Sequence, residues 1–148
     1  MAEQQFVYVI YNESTPETVW QALTDDAFTR RYWAGRRIES EWIKGADVRL
    51  YAEDTNDIEL HGKLLEYDAP RRLSYTWHCA DQPTDVESTV TFELHPMGDS
   101  VRLTITHEPL PVQDTARQGW PAILSSLKSY LETGTPLSAT EMWRRKVS

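Results

Sequence analysis

The sequence predicts an α+β domain: a strand, two short helices, about six antiparallel strands, and one long C-terminal helix that covers a face of the sheet. Three observations carry this. In residues 119–134, GWPAILSSLKSYLETG, Trp120, Ile123, Leu124, Leu127 and Leu131 fall on one stripe of a helix, and Ser125, Ser126, Lys128, Ser129 and Glu132 fill the other side. From Arg36 to His107 the apolar residues recur at every second position instead, which is the period of half-buried strands. Between an apolar N-terminal run and that meander, residues 15–33 carry helical spacing and capping residues. A meander of this size has to bury one face, and the terminal helix is the available cover.

Phe6 to Tyr11, FVYVIY, is apolar on both alternating faces, which predicts a strand covered on both sides or lying near the centre of the domain. Thr15 is placed to cap the first helix, Pro16 suits its first position, and Val19, Trp20 and Leu23 form its apolar edge. Thr24-Asp25-Asp26 breaks that helix and recaps a second one, packed through Phe28 and Tyr32 and ended by Ala34-Gly35. Ile38, Ser40 and Trp42 then share one strand face, and a turn at Lys44–Asp47 leads to Val48, Leu50 and Ala52. A turn at 54–57 precedes a longer strand from Glu59 to Asp68, in which Gly62 marks a bulge or sharp bend.

Leu73, Tyr75 and Trp77 follow on one face. Asp81 to Asp85 reads as a polar loop, and Val86, Ser88, Val90, Phe92 and Leu94 alternate with polar residues. A hairpin turn at Pro96–Asp99 joins them to Val101, Leu103, Ile105 and His107. In the terminal helix Pro121 is expected in the first turn, and Gly134 takes the left-handed conformation that ends it. Residues 1–134 read as one domain and 135–148 as a tail: Thr135–Thr140 forms a loose linker, Ser138–Glu141 caps a short turn around Met142-Trp143, and Arg144-Arg145-Lys146 is a solvated basic end.

Composition narrows the functional classes. The 148 residues suit one domain, and a single cysteine, Cys79, leaves no intrachain disulfide. No apolar run approaches the roughly 20 residues of a membrane span, and the N-terminus lacks the basic-then-apolar pattern of a signal peptide. A cytoplasmic location and no membrane partner are the expectations. The net charge of −8 argues against nucleic-acid binding, which needs cations facing phosphates.

ESTPETVWQALTDDAFTRRYW at 13–33, LHGKLLEYDAPRRLSYTW at 60–77, STVTFELHPMGDSVRLTITHEPL at 88–110 and the 119–134 helix occur in the order seen in helix-grip proteins. On these segments the chain resembles the START-like (SRPBCC) superfamily, and within it the branch similar to the C-terminal domain of the activator of the heat-shock-protein-90 ATPase. The resemblance covers about residues 6 to 134. It implies a helix-grip fold of seven antiparallel strands around the C-terminal helix, with a cavity between them that commonly holds a hydrophobic or aromatic small molecule. It also implies a possible chaperone partner, although the activator carries an N-terminal domain with no counterpart in these 148 residues.

Searched from the residues upward, the sequence offers no catalytic set. His61, His78, His95 and His107 form no metal spacing, and no nucleophile elbow, phosphate loop or dinucleotide fingerprint occurs. His78 and Cys79 are neighbours on a strand, where side chains point to opposite faces, so they are badly placed to share a proton. The chain therefore reads as non-catalytic, with no metal and no cofactor. The alternative that the resemblance leaves is a hydrolase- or cyclase-type enzyme on the same fold. It needs an inner-face acid–base pair, of which only His107 offers half. Three polar residues have the parity of the buried face: Ser40, Ser88 and His107. Each needs a partner from the protein, from water or from a ligand. His107 is the foremost because an imidazole both donates and accepts.

The aromatic residues Trp33, Trp42, Tyr75, Trp77, Phe92 and Trp120, with Leu124 and Leu127, either fill the core or line a pocket. Periodicity does not separate the two, and the cavity is the reading that the resemblance implies. If Trp120, Leu124 and Leu127 touch Tyr75, Trp77 and Phe92, the helix is a core element; a gap makes it the wall of a binding site. An acidic surface suits a basic protein partner, and an edge strand or Trp143 suits a homodimer in place of a monomer.

Overall fold

A computed structural model describes residues 4–53, 55–79, 87–110, 116–138 and 140, with residue 79 described by its backbone. The expected polar loop at 81–85, the start of a strand at Val86, the side chain of Cys79, and the Met142-Trp143 turn with its basic end lie outside the described residues.

Strand β1 (Phe6–Asn12) leads into helices α1 (Pro16–Thr24) and α2 (Asp26–Tyr32). Strands β2 (Arg37–Ser40), β3 (Asp47–Tyr51), β4 (Ile58–Asp68), β5 (Arg72–Cys79), β6 (Ser88–Met97) and β7 (Ser100–Glu108) follow, and α3 (Ala116–Thr133) closes the order. The strands form one antiparallel sheet in the order β1-β7-β6-β5-β4-β3-β2. The α+β helix-grip architecture is therefore present.

Local chemistry explains the helix ends. Thr15 Oγ1 accepts from the Thr18 amide at 3.2 Å, and Pro16 opens α1. Asp25 ends α1 and caps α2, its Oδ1 accepting from the Ala27 amide at 2.9 Å. The two helices lock together through the buried Tyr32, whose hydroxyl donates to the Ala22 carbonyl at 2.8 Å. Burial holds that phenol well above its usual titration range. Buried Thr29 fastens α2 to β2 by accepting from the Ile38 amide at 3.2 Å.

Five expectations shift. Pro121 lies inside α3, not in its first turn, because the helix starts at Ala116 and not at Gly119. It cannot donate to the Arg117 carbonyl one turn back. Gly134 ends the helix as expected, at φ +84° with its amide bonded to the Tyr130 carbonyl at 2.9 Å. The ladder of β4 bulges between Leu64 and Glu66, three residues past Gly62. Gly62 is there for close approach: a Cβ would sit 1.8 Å from the Thr76 carbonyl oxygen. Trp42 is not part of β2. Its φ of +57° turns the chain out of the strand, supported by its amide donating to Ser40 Oγ at 3.0 Å.

The fourth concerns the expected linker, which docks onto α3. The Leu137 amide donates to Ser126 Oγ at 3.1 Å, and Thr140 is buried. Ser126, assigned by spacing to the solvent side, is buried for this reason.

The first strand also differs from its reading. β1 is an end strand, and only one of its faces is covered. Phe6, Tyr8 and Ile10 pack against the core, while Val7, Val9 and Tyr11 are 50%, 44% and 49% exposed. The core itself lies between the sheet's concave face, α1–α2 and α3.

Candidate functional site

The polar residues singled out by parity separate into two places. His107 ends the inner row of β7 and is fully buried, although a strand end suggested a wet one. Its ring meets α3 at Trp120, whose Nε1–H donates to His107 Nδ1 at 3.0 Å. An indole N–H can only donate, so Nδ1 is the lone-pair nitrogen and Nε2 carries the ring proton. Ser88 Oγ lies 2.8 Å from Nε2, and so accepts from it. The serine hydroxyl in turn faces the Trp77 carbonyl at 3.4 Å. Donor and acceptor match at each step from α3 through β7 and β6 to β5.

Around this chain the indoles converge. Trp120 is 5.1 Å from Trp77 and 5.6 Å from Trp33 between ring centroids, and it meets Phe92 edge-on at 5.9 Å. Trp33 and Trp77 are close to parallel, 15° apart, with centroids 6.4 Å from each other. Trp77 also meets the His107 ring at 5.2 Å, and Tyr75 packs on Phe92 at 6.0 Å. Leu124 and Leu127 are buried in the same cluster. Helix and sheet are thus in contact at the level of Trp120, so α3 is a core element there and no gap separates it from Trp77 and Phe92. Trp77 and Ser88 are only partly buried, so the group reaches the surface on this side.

Two expected members lie elsewhere. Trp42, carried out of β2 by its left-handed backbone, packs its ring on Tyr67 at 5.8 Å, and Tyr67 packs in turn on Trp20 at 5.2 Å. The bulge at Leu65 exchanges the faces of β4, which places Tyr67 against Trp20; the Trp20 indole donates to its hydroxyl at 3.4 Å. Ser40 bonds locally to the Trp42 amide and lines an open recess of about 720 Å³ with Ile43, Lys44 and Lys63. The cations of that recess are largely neutralised: Lys63 and Arg49 both hold Asp47, at 2.6 and 2.9 Å, and Lys63 chiefly keeps that carboxyl below its usual range.

A buried polar side chain of the inner face escaped the parity test. Asn12 shares the inner face of β1 with Phe6, Tyr8 and Ile10 and is fully buried, yet neither Oδ1 nor Nδ2 has a hydrogen-bond partner among the described residues. The signal was available, since Asn12 is two residues past Ile10; reading the strand as apolar on both faces concealed it. No group of three or more His, Cys, Asp or Glu side chains is placed to hold a metal ion among the described residues. No helix among them is long and apolar enough to cross a membrane.

Solved structures of similar shape share the fold at low sequence identity. The solution structure of CalU16 from Micromonospora echinospora superposes with a TM-score of 0.74 at 21% identity, covering 93% of this chain and 71% of that one. An Aha1 dimer from Colwellia psychrerythraea gives 0.72 at 18%, covering 88% and 97%. An HSP90 activator from Plasmodium falciparum gives 0.65 at 22%, covering 95% of each chain. No curated protein matches the chain. Residues 13–132 match the profile of the activator of Hsp90 ATPase homolog 1-like proteins, and with that span matched, together with the helix-grip sheet around α3, the chain belongs to that family within the START-like proteins.

Proposed function

We propose that this chain is a non-catalytic binding domain, residues 1–134 with a docked tail, that takes a small hydrophobic or aromatic molecule at the tryptophan-lined end of its interior. The observation that supports this most is the near-parallel pair Trp33 and Trp77, 6.4 Å apart, with Trp120 across their base. One flat ring between two indoles needs about 7 Å, two contacts of about 3.5 Å. The 6.4 Å separates ring centroids and leaves no open slot between the planes, so the partly buried Trp77 has to turn outward to admit a ring. Ser88, held by His107, has only a 3.4 Å bond to the Trp77 carbonyl and is free to redirect its hydroxyl to a polar group on the ligand. The remaining lining is apolar, with Tyr75, Phe92, Leu124 and Leu127 behind the indoles. The site lacks an acid–base pair: both nitrogens of His107 are engaged by Trp120 and Ser88.

Thermal denaturation against a library of aromatic, sterol and lipid compounds tests this reading. A ligand at 100 times its dissociation constant stabilises the folded chain by about 2.7 kcal/mol, a shift of several degrees. The Trp77→Ala chain should melt cooperatively and lose the response. The reading fails if no compound shifts the wild type, or if the variant responds equally.

A second reading, regulation of a chaperone ATPase, is favoured by the family match over residues 13–132 and by the acidic surface of a chain of net charge −8. Its test is the ATPase rate of the heat-shock-protein-90 homologue from the same cell, with and without this protein. An unchanged rate at saturating protein rejects it.

A further inference from the structure

The open edge of β1 is chemically matched to itself. Backbone groups alternate along a strand, and the Leu110 amide bonds the Gln4 carbonyl while Lys128 Nζ on α3 bonds the Tyr11 carbonyl at 2.6 Å. Even-numbered residues of β1 therefore turn their N–H and C=O towards β7, and Val7, Val9 and Tyr11 turn theirs to the open edge. Lys128 occupies the Tyr11 carbonyl. The amides and carbonyls of Val7 and Val9 have no protein partner among the described residues.

The side chains follow the same pattern. Residues 4–12, QQFVYVIYN, contain no charge, in a chain of net charge −8. Val7, Val9 and Tyr11 stand 44–50% exposed on one face, and Phe6, Tyr8 and Ile10 are only partly buried on the other. On β7, the cross-strand neighbours of Val7 and Val9 are Thr106 and Thr104, also uncharged. Natural edge strands are usually protected by a charge, a proline or a bulge. Among the described residues the charges set against β1 are at its ends, Lys128 on the Tyr11 carbonyl and Arg117 over the Phe6 ring, and none faces Val7 or Val9.

We propose that a second copy of this chain pairs with β1 along this edge, antiparallel and about a two-fold axis, joining the two sheets into one. The register is set by what is free. Placing Val7 opposite Val9 of the second copy uses every unpartnered main-chain group of both residues, and each such pair exchanges two hydrogen bonds. It sets Tyr8 against Tyr8 of the second copy, and Phe6 against Ile10, so apolar side chains meet on both faces. It leaves the Tyr11 carbonyl with Lys128. Two copies of net charge −8 repel each other overall, and an uncharged strip is where that repulsion is least. The inference is independent of the ligand reading, because no residue of β1 belongs to the tryptophan group.

Sedimentation equilibrium of the full chain from about 1 to 500 µM tests it, with melting curves to establish folding. The wild type should pass from monomer to dimer in that range. V7K/V9K sets like charges opposite each other in both pairs and should weaken self-association about 30-fold or more. V7E/V9K sets opposite charges in the same places and should restore association to within about fivefold of the wild type. Hydrogen exchange on the wild type gives a reading without substitution: the Val7 and Val9 amides should be protected at high concentration and exposed on dilution. A wild type monomeric throughout, a dimer indifferent to V7K/V9K, a V7E/V9K chain no better than V7K/V9K, or Val7 and Val9 amides that exchange equally at both concentrations would each overturn the proposal.

Discussion

His107 and Asn12 lie at opposite ends of the β1–β7 ladder, His107 opposite Phe6 and Asn12 opposite Val101, about 20 Å apart along the strands. Both are polar, both are fully buried and both face the interior, yet they are treated differently. At His107 each ring nitrogen is matched by a partner of the right kind, Trp120 as donor and Ser88 as acceptor. At Asn12 neither amide atom is matched among the described residues. The Asn12 end is instead fastened from outside: Lys128 bonds the Tyr11 carbonyl and pairs with Glu132, and Glu132 accepts from the Glu13 amide at 2.7 Å. One end is ordered by an internal polar chain that fixes the orientation of indoles. The other is held by a clasp at the surface. A specific site needs the first arrangement, since a buried side chain can position a neighbour only when its own geometry is fixed.

Substitutions can break this contrast at either end. His107→Ala should have the largest effect, because it opens a cavity and strands the Trp120 N–H and the Ser88 hydroxyl; chemical denaturation should record a loss of about 3 kcal/mol. Trp120→Phe keeps most of the packing but removes the donor to Nδ1, and should cost about 2 kcal/mol. If it proves neutral, the hydrogen bond contributes nothing and the aromatic packing alone holds α3. Asn12→Leu should run the other way. Replacing an unmatched amide by an apolar group of similar size should stabilise the chain by about 1 kcal/mol, and a loss of that size would mean that the amide is satisfied in solution.

The clasp gives the smallest effect. Glu132→Gln should cost about 0.5 kcal/mol near neutrality, since the Lys128 pair is partly exposed. The Glu13 amide, and then Lys128, hold the Glu132 carboxyl below its ordinary value. A depressed carboxyl contributes stability above its unfolded value and loses it as the pH falls through its folded one. The difference between wild type and Glu132→Gln should therefore be constant above the usual glutamate range and vanish below it. A difference that grows in acid would show that the clasp does not act through the ionised carboxylate.

Much of this contrast was legible in the sequence, and the exceptions have physical causes. Parity placed His107 and Ser88 on one face, and the helical stripe brought Trp120 to them, because both periods are fixed by backbone geometry. Trp42 was assigned to the same face and was lost to it, since a left-handed residue ends the alternation without leaving a glycine to announce it. Tyr67 was hidden by a one-residue bulge, which reverses parity beyond it. The exposure of β1 was invisible because an apolar run looks the same at the edge of a sheet as at its centre; strand order decides, and strand order is not local. Ser126 was placed on the solvent side by its spacing and is buried by a segment that the helical period does not contain.

The central claim is that a small aromatic molecule inserts among Trp33, Trp77 and Trp120 as Trp77 turns outward, and the indole N–H resonances test it most directly. In a ¹H–¹⁵N titration with a flat bicyclic aromatic such as naphthalene-2-carboxamide, the signals of Trp33, Trp77 and Trp120 should move saturably and together. Those of Trp20 and Trp42, which belong to the Tyr67 group, should stay in place. Six indoles moving alike, or none moving at a saturating concentration of any compound that shifts the melting temperature, would contradict the account.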